Sequence, residues 1–153
     1  MTQAQANADV SVEHPQVGGR FADAAINAGD VLSFPEGLPG YETARAFVLI
    51  EIPEQAPLKM LHAVNGSDVC FLVVDPKSVL AAYRCELTAA DRTRLGAGDD
   101  STLLWLAIVM VGQDGEVAVN LRAPIVINPA RMTGRQVMPN NCVYPLRHVI
   151  GTD

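Results

Sequence analysis

TLLWLAIVMVGQDGEVAVNL, residues 102–121, joins an unbroken apolar run to an alternating one through a short turn, and the class of the whole chain hangs on how it is read. Taken alone, Leu103 to Val111 fits a buried helix as well as a buried strand, because a continuous apolar run has no period to separate them. Its sequel decides for strand. In EVAVNL (116–121), Val117, Val119 and Leu121 fall on one face and Glu116, Ala118 and Asn120 on the other, the pattern of a half-buried antiparallel strand. GQDG (112–115) between them is hairpin turn chemistry. A long hairpin at the centre of a sheet follows.

Outward from that hairpin, short apolar segments of strand length recur between turn residues: DVLSF (30–34), AFVLIEI (46–52), LKMLHAV (58–64), VCFLVV (69–74), PIVIN (124–128) and RQVM (135–138). Val, Ile and Leu dominate them. NGSD (65–68), VDPKS (74–78) and INPARMTG (127–134) read as turns. One helix is predicted in LTAADRTRLG (87–96), with Thr88 as N-cap, Asp91 at N3 as an acidic capping-box variant and Gly96 as the stop. The acidic loop after it carries Asp99 and Asp100. Residues 1–20 hold few large apolar groups to offset their ordering entropy and read as a disordered tail, leaving 21–153 as one domain. The expected fold is mainly β: a small antiparallel barrel-like domain with one short helix.

Composition narrows the function. The 153 residues are 49% apolar, enough for a core, but the longest apolar run is about half of what a bilayer-spanning helix requires. The N-terminus lacks the basic and apolar regions of a secretory signal, so a cytoplasmic protein without a membrane span is expected. Cys70, Cys85 and Cys142 form no CxxC pair and read as reduced, small hydrophobes. Of the net charge of −6, residues 1–116 carry 16 acidic and 7 basic side chains, net −9, and residues 117–153 carry 1 and 4, net +3. With only two Lys and no basic cluster, direct contact with nucleic acid is disfavoured; the acidic bias serves solubility or suits a basic protein partner.

No catalytic constellation is visible. His14, His62 and His148 lack metal-ligand spacing, and the chain has no GxSxG elbow, phosphate loop or dinucleotide fingerprint. A binding module without cofactors is the better reading. Two features present themselves for binding. FPEGLPGYE (34–42) sets Phe34, Leu38 and Tyr41 among two Pro and two Gly; the rigid loop either packs on its own barrel, Phe34 and Leu38 inward, or also offers an apolar surface. Arg122 lies opposite the Val117, Val119, Leu121 face, just before Ala123-Pro124, where loss of a ladder donor should bulge or end the strand; it is expected to meet a carboxylate, internal or a partner's.

Several of these stretches together resemble the flagellar assembly factor FliW family. FPEGLPGYE is similar to its signature loop, with Tyr41 where Phe is more usual; NLRAPIVIN (120–128) and GRQV (134–137) resemble two further segments, and Tyr144, Arg147 and His148 its C-terminal ending. The match runs from about Asp30 to about Ile150 in the expected order, and residues 1–20 fall outside it. The resemblance implies a small antiparallel β-barrel without enzymatic activity that binds the translational regulator CsrA and, in competition, flagellin. Phe34, Leu38, Tyr41, Asn120 and Arg122, which lie in the matching segments, are candidate contacts; Asp99 and Asp100 join them as an exposed acidic pair able to steer a basic partner. A monomer is expected when the protein is alone. The rival readings are a chaperone-like β-domain that holds flagellin only, and a small hydrolase.

Overall fold

The computed structural model of the chain describes residues 20–21, 24–27, 30–64, 69–98, 101–139 and 142–152. Apart from Arg20, the tail expected over residues 1–20 lies outside them, as do the NGSD turn (65–68) and the Asp99–Asp100 pair. Arg20–Phe21 (β1) and Ala24–Asn27 (β2) pair only with each other. The main sheet contains Val31–Ser33 (β3), Ala46–Glu51 (β4), Lys59–Ala63 (β5), Cys70–Val74 (β6), Leu104–Val111 (β7), Glu116–Val119 (β8), Ile125–Asn128 (β9), Thr133–Gln136 (β10) and His148–Thr152 (β11).

Strand β7 organises this sheet. Along one side it pairs antiparallel with β6 through residues 107–109; along the other, its first half (Leu104 to Leu106) pairs with β9 and its second half (Val109 to Val111) with β8. The β9 contact closes a barrel of seven strands, in the order β9-β10-β3-β4-β5-β6-β7, while β8 and β11 continue outward from the far half of β7. Closure removes the open edge that an unpaired strand would leave. Every ladder in the main sheet is antiparallel except β10 with β3, where Thr133 and Ser33 meet in parallel.

The missing period of Leu103 to Val111 has a simple cause: both faces of β7 are covered as far as Val109. Leu104, Leu106 and Ile108 point into the barrel with Phe34, Phe47, Leu49, Leu61, Val73, Ile125 and Ile127. Trp105, Ala107 and Val109 point outward into a second cluster with Val74, Tyr83, Val117, Val119, Leu121 and Tyr144. The predicted Val117, Val119, Leu121 face is the one that joins it. On β9, Ile125 and Ile127 face the barrel while Val126 meets Leu87, Leu95 and Val137 in a third cluster, which lies beneath the helix Ala89–Leu95 (α2).

Local chemistry places the helices. The Thr88 hydroxyl oxygen accepts from the Asp91 N–H at 3.1 Å, and Gly96 at φ 65° gives its N–H to the carbonyls of Arg92 and Thr93, so both predicted ends of α2 hold. Asn128 is almost wholly buried and finishes that end by donating to the Leu95 carbonyl at 2.8 Å. A second helix, Pro76–Val79 (α1), is one turn long; the stretch read as a plain turn is wound by the Asp75 carboxylate, which accepts from the Lys77 N–H at 2.9 Å, and by Pro at the first helical position. GQDG makes the β7–β8 hairpin, with Gly115 at φ 81° and the Gly112 N–H bonded to the Glu116 carbonyl at 2.7 Å.

Candidate partner-binding surface

The signature loop is built around two left-handed glycines. Gly37 at φ 64° turns the chain so that its N–H reaches the Phe34 carbonyl at 2.8 Å, and Gly40 at φ 85° lets the Tyr41 N–H reach Leu38 at 2.7 Å. The Glu42 carboxylate accepts from the Gly40 N–H at 3.0 Å, and that bond, with a lesser one to its own backbone, lowers its pKa below the ordinary value. The two turns drive Phe34 (0% exposed) and Leu38 (1%) into the barrel and leave Tyr41 outside at 46%. Phe34 meets Phe47 edge to face at 5.1 Å, and Tyr41 meets Phe71 at 5.3 Å. Of the loop's three candidate contacts, only Tyr41 therefore presents side-chain surface, over a shallow hollow of about 320 Å³ shared with Val69, Cys70 and Phe71.

Arg135, from the GRQV segment, anchors the loop from behind. Its guanidinium pairs with Glu36 of the loop at 2.7 Å and with the buried Asp91 of α2 at 3.2 Å, joining loop, helix and β10 through one side chain. Gly134 is required beside it, because a Cβ there would stand 2.6 Å from the Phe34 ring.

Asn120 and Arg122 belong to a different surface. The Asn120 side-chain oxygen accepts from the N–H groups of Arg122 and Ala123 at 3.1 and 3.0 Å, making the corner at which the chain leaves β8 and re-enters the barrel as β9. The strand ends at Val119, ahead of the expected break at Ala123-Pro124, and it is the Asn120 corner that turns the chain. Arg122 does not meet an internal carboxylate: its Nε donates to the Tyr144 carbonyl at 2.8 Å, and no ion pair links it to another described residue. The corner is reached by the C-terminal segment rather than by an acidic strand, which local sequence could not reveal. Arg122→Lys, which loses the fixed guanidinium fork, should lower stability by about 1.5–3 kcal/mol in urea unfolding. An unchanged midpoint would show that this bond contributes nothing.

The C-terminal segment packs Tyr144 against Tyr83 with ring centroids 4.7 Å apart, and Arg147 pairs with Glu116. Beyond it, Met110, Val111, Leu146, Val149 and Ile150 are exposed apolar residues around the far half of β7 and β11. Met110, Ala118 and Val149 sit side by side across three strands. Sequence reasoning missed these exposed positions. The available signal was length: the run ending at Val111 outlasts the four-residue strand β9 that covers its first half.

Fold and surface together define a small, ladder-built β-barrel protein; among the described residues no three His, Cys, Asp or Glu side chains form a group able to hold a metal, and no helix is long and apolar enough to cross a membrane. The family model described as "FliW protein" matches residues 18–150. The chain is 35% identical over 130 residues to the flagellar assembly factor FliW of Geotalea uraniireducens (84% of this chain, 79% of that one), and 30% identical over 136 residues to that of Thermotoga maritima (88% and 91%). A solved crystal structure of the flagellar assembly factor FliW superposes with a TM-score of 0.72 at 30% identity, covering 78% of this chain and 84% of that one. The chain belongs to the FliW family of flagellar assembly factors.

Proposed function

We propose that this protein, acting in the cytoplasm as a monomer with residues 21–153 as its one domain, binds CsrA and so releases the messenger RNA that CsrA holds, with flagellin as the competing ligand. It is a binding protein and not an enzyme, and it touches no nucleic acid itself. Membership of the FliW family carries this reading. Two physical features support it: exposed apolar side chains on β7, β11 and the segment before it, and a net charge of −9 over residues 1–116, suited to a basic RNA-binding partner. Tyr41 and Arg122 are its candidate contacts, with Asn120 shaping the corner that presents Arg122 and Asp99 and Asp100 steering approach.

Adding the protein to a preformed CsrA–RNA complex should free the RNA, followed by fluorescence anisotropy, and adding flagellin should restore the complex. Raising salt from 0.1 to 1 M should weaken binding without abolishing it, since the Debye length falls from about 10 Å to about 3 Å while apolar burial persists. RNA that stays bound at saturating protein would overturn the antagonist role; flagellin binding in that case would leave a flagellin-holding β-domain.

A further inference from the structure

A hollow of about 370 Å³ opens between residues 75–77 at the start of α1, residues 83–85 in the loop after it, and residues 102–105 at the entry to β7. Its floor is apolar. Pro76, Tyr83 and Leu104 are buried there, and Leu103 and Trp105 are half-buried. One wall is pinned in place: the Tyr83 hydroxyl donates to the Leu121 carbonyl at 2.9 Å, and the Arg84 N–H donates to the Tyr144 hydroxyl at 3.1 Å. These bonds fix the backbone and leave the Arg84 guanidinium at the mouth. The hollow shares no residue with the one beneath Tyr41.

Charge at the mouth narrows what the hollow can take. Lys77 and Arg84 are exposed and line it, and no ion pair joins either to another described residue. Asp75 supplies the opposing charge, with one of its oxygens already accepting from the Lys77 N–H at 2.9 Å. Two positive groups against one negative leave the mouth at net +1, in a chain of net −6. We propose that this hollow binds a small organic monoanion, a single carboxylate on an apolar body, with the carboxylate at Arg84 and Lys77 and the body against Leu103 and Trp105. A guanidinium fork matches a carboxylate in shape as well as charge. A neutral body of the same shape leaves both cations without a counter-charge, and a dianion such as phosphate meets repulsion from Asp75 and has no apolar surface to bury. The volume falls within the range of small-ligand sites, about 300–1,000 Å³.

Trp105 is the one Trp of the chain, so its emission reports directly on the hollow it lines. Titrating the full-length protein with phenylacetate should change that emission along a saturating curve, and the melting temperature should rise with ligand, as binding to the folded state requires. Phenylacetamide, the neutral isostere, and inorganic phosphate should each bind at least about tenfold more weakly, the size expected for a lost charge-assisted contact. Arg84→Gln and Lys77→Gln should each weaken phenylacetate about three- to tenfold, with Arg84→Gln the larger because the fork is lost. Equal affinity for phenylacetate and phenylacetamide, unchanged binding in both variants, or a response that does not saturate by about 10 mM would overturn the proposal. None of these measurements involves CsrA or flagellin, so their outcome is separate from that of the partner switch.

Discussion

Phe34→Ala should lower stability by about 3–5 kcal/mol, the cost of deleting a fully enclosed aromatic ring. The ring has no solvent exposure, stands edge-on to Phe47 at 5.1 Å and fills the space that Gly134 leaves open on β10. Its surroundings are strands of a closed barrel, which cannot slide inward to fill the void, so the loss belongs at the upper part of that range. Urea unfolding should show a lower midpoint at unchanged slope, and the melting temperature should fall by about 6–20 °C. Gly134→Ala alone should cost about 1–3 kcal/mol by overpacking. The double variant should lose less than the sum, because the new methyl enters the vacated ring space. A loss below about 1 kcal/mol for Phe34→Ala would show that the ring is not enclosed.

Gly37→Ala should be nearly as damaging, at about 2–5 kcal/mol. Two costs combine there: a left-handed φ of 64°, and a Cβ that would lie 2.6 Å from the Glu42 Cα, a backbone atom with no rotamer by which to withdraw. Gly40 is the internal control. Its φ of 85° is equally unfavourable for an L side chain, yet nothing lies within 4 Å of the added atom, so Gly40→Ala should cost only about 1–2 kcal/mol. Denaturant midpoints of the two variants give the comparison directly. Equal losses would remove the steric contact from the account and leave only backbone strain.

Much of the architecture was legible because it is written in local chemistry. The β7–β8 hairpin follows from alternation around GQDG, both ends of α2 from Thr88 and Gly96, and the inward Phe34 and Leu38 from a Pro/Gly loop that could not leave such area wet without cost. Strand β11 was not legible: its pairing with β8 depends on a partner thirty residues earlier, and a bulge between Val149 and Gly151 breaks its alternation. The Arg122 partner was misread for a similar reason. Alternation gives the face on which a side chain emerges, but which atom waits there depends on the path of residues 142–147.

The sequence by itself determined the β7–β8 hairpin, most of the other strands of the main sheet and both ends of α2, and through its motifs the family, since each of these depends on residues a few positions apart and on dihedral and burial preferences that travel with residue type. Tertiary structure alone decided that β7 divides one of its sides between β9 and β8, that Arg135 joins Glu36 to Asp91, and which apolar side chains stay outside. Those outcomes are set by barrel closure, which brings together groups that no short-range preference relates and covers an apolar strand up to Val109 while leaving Met110 and Val111 exposed.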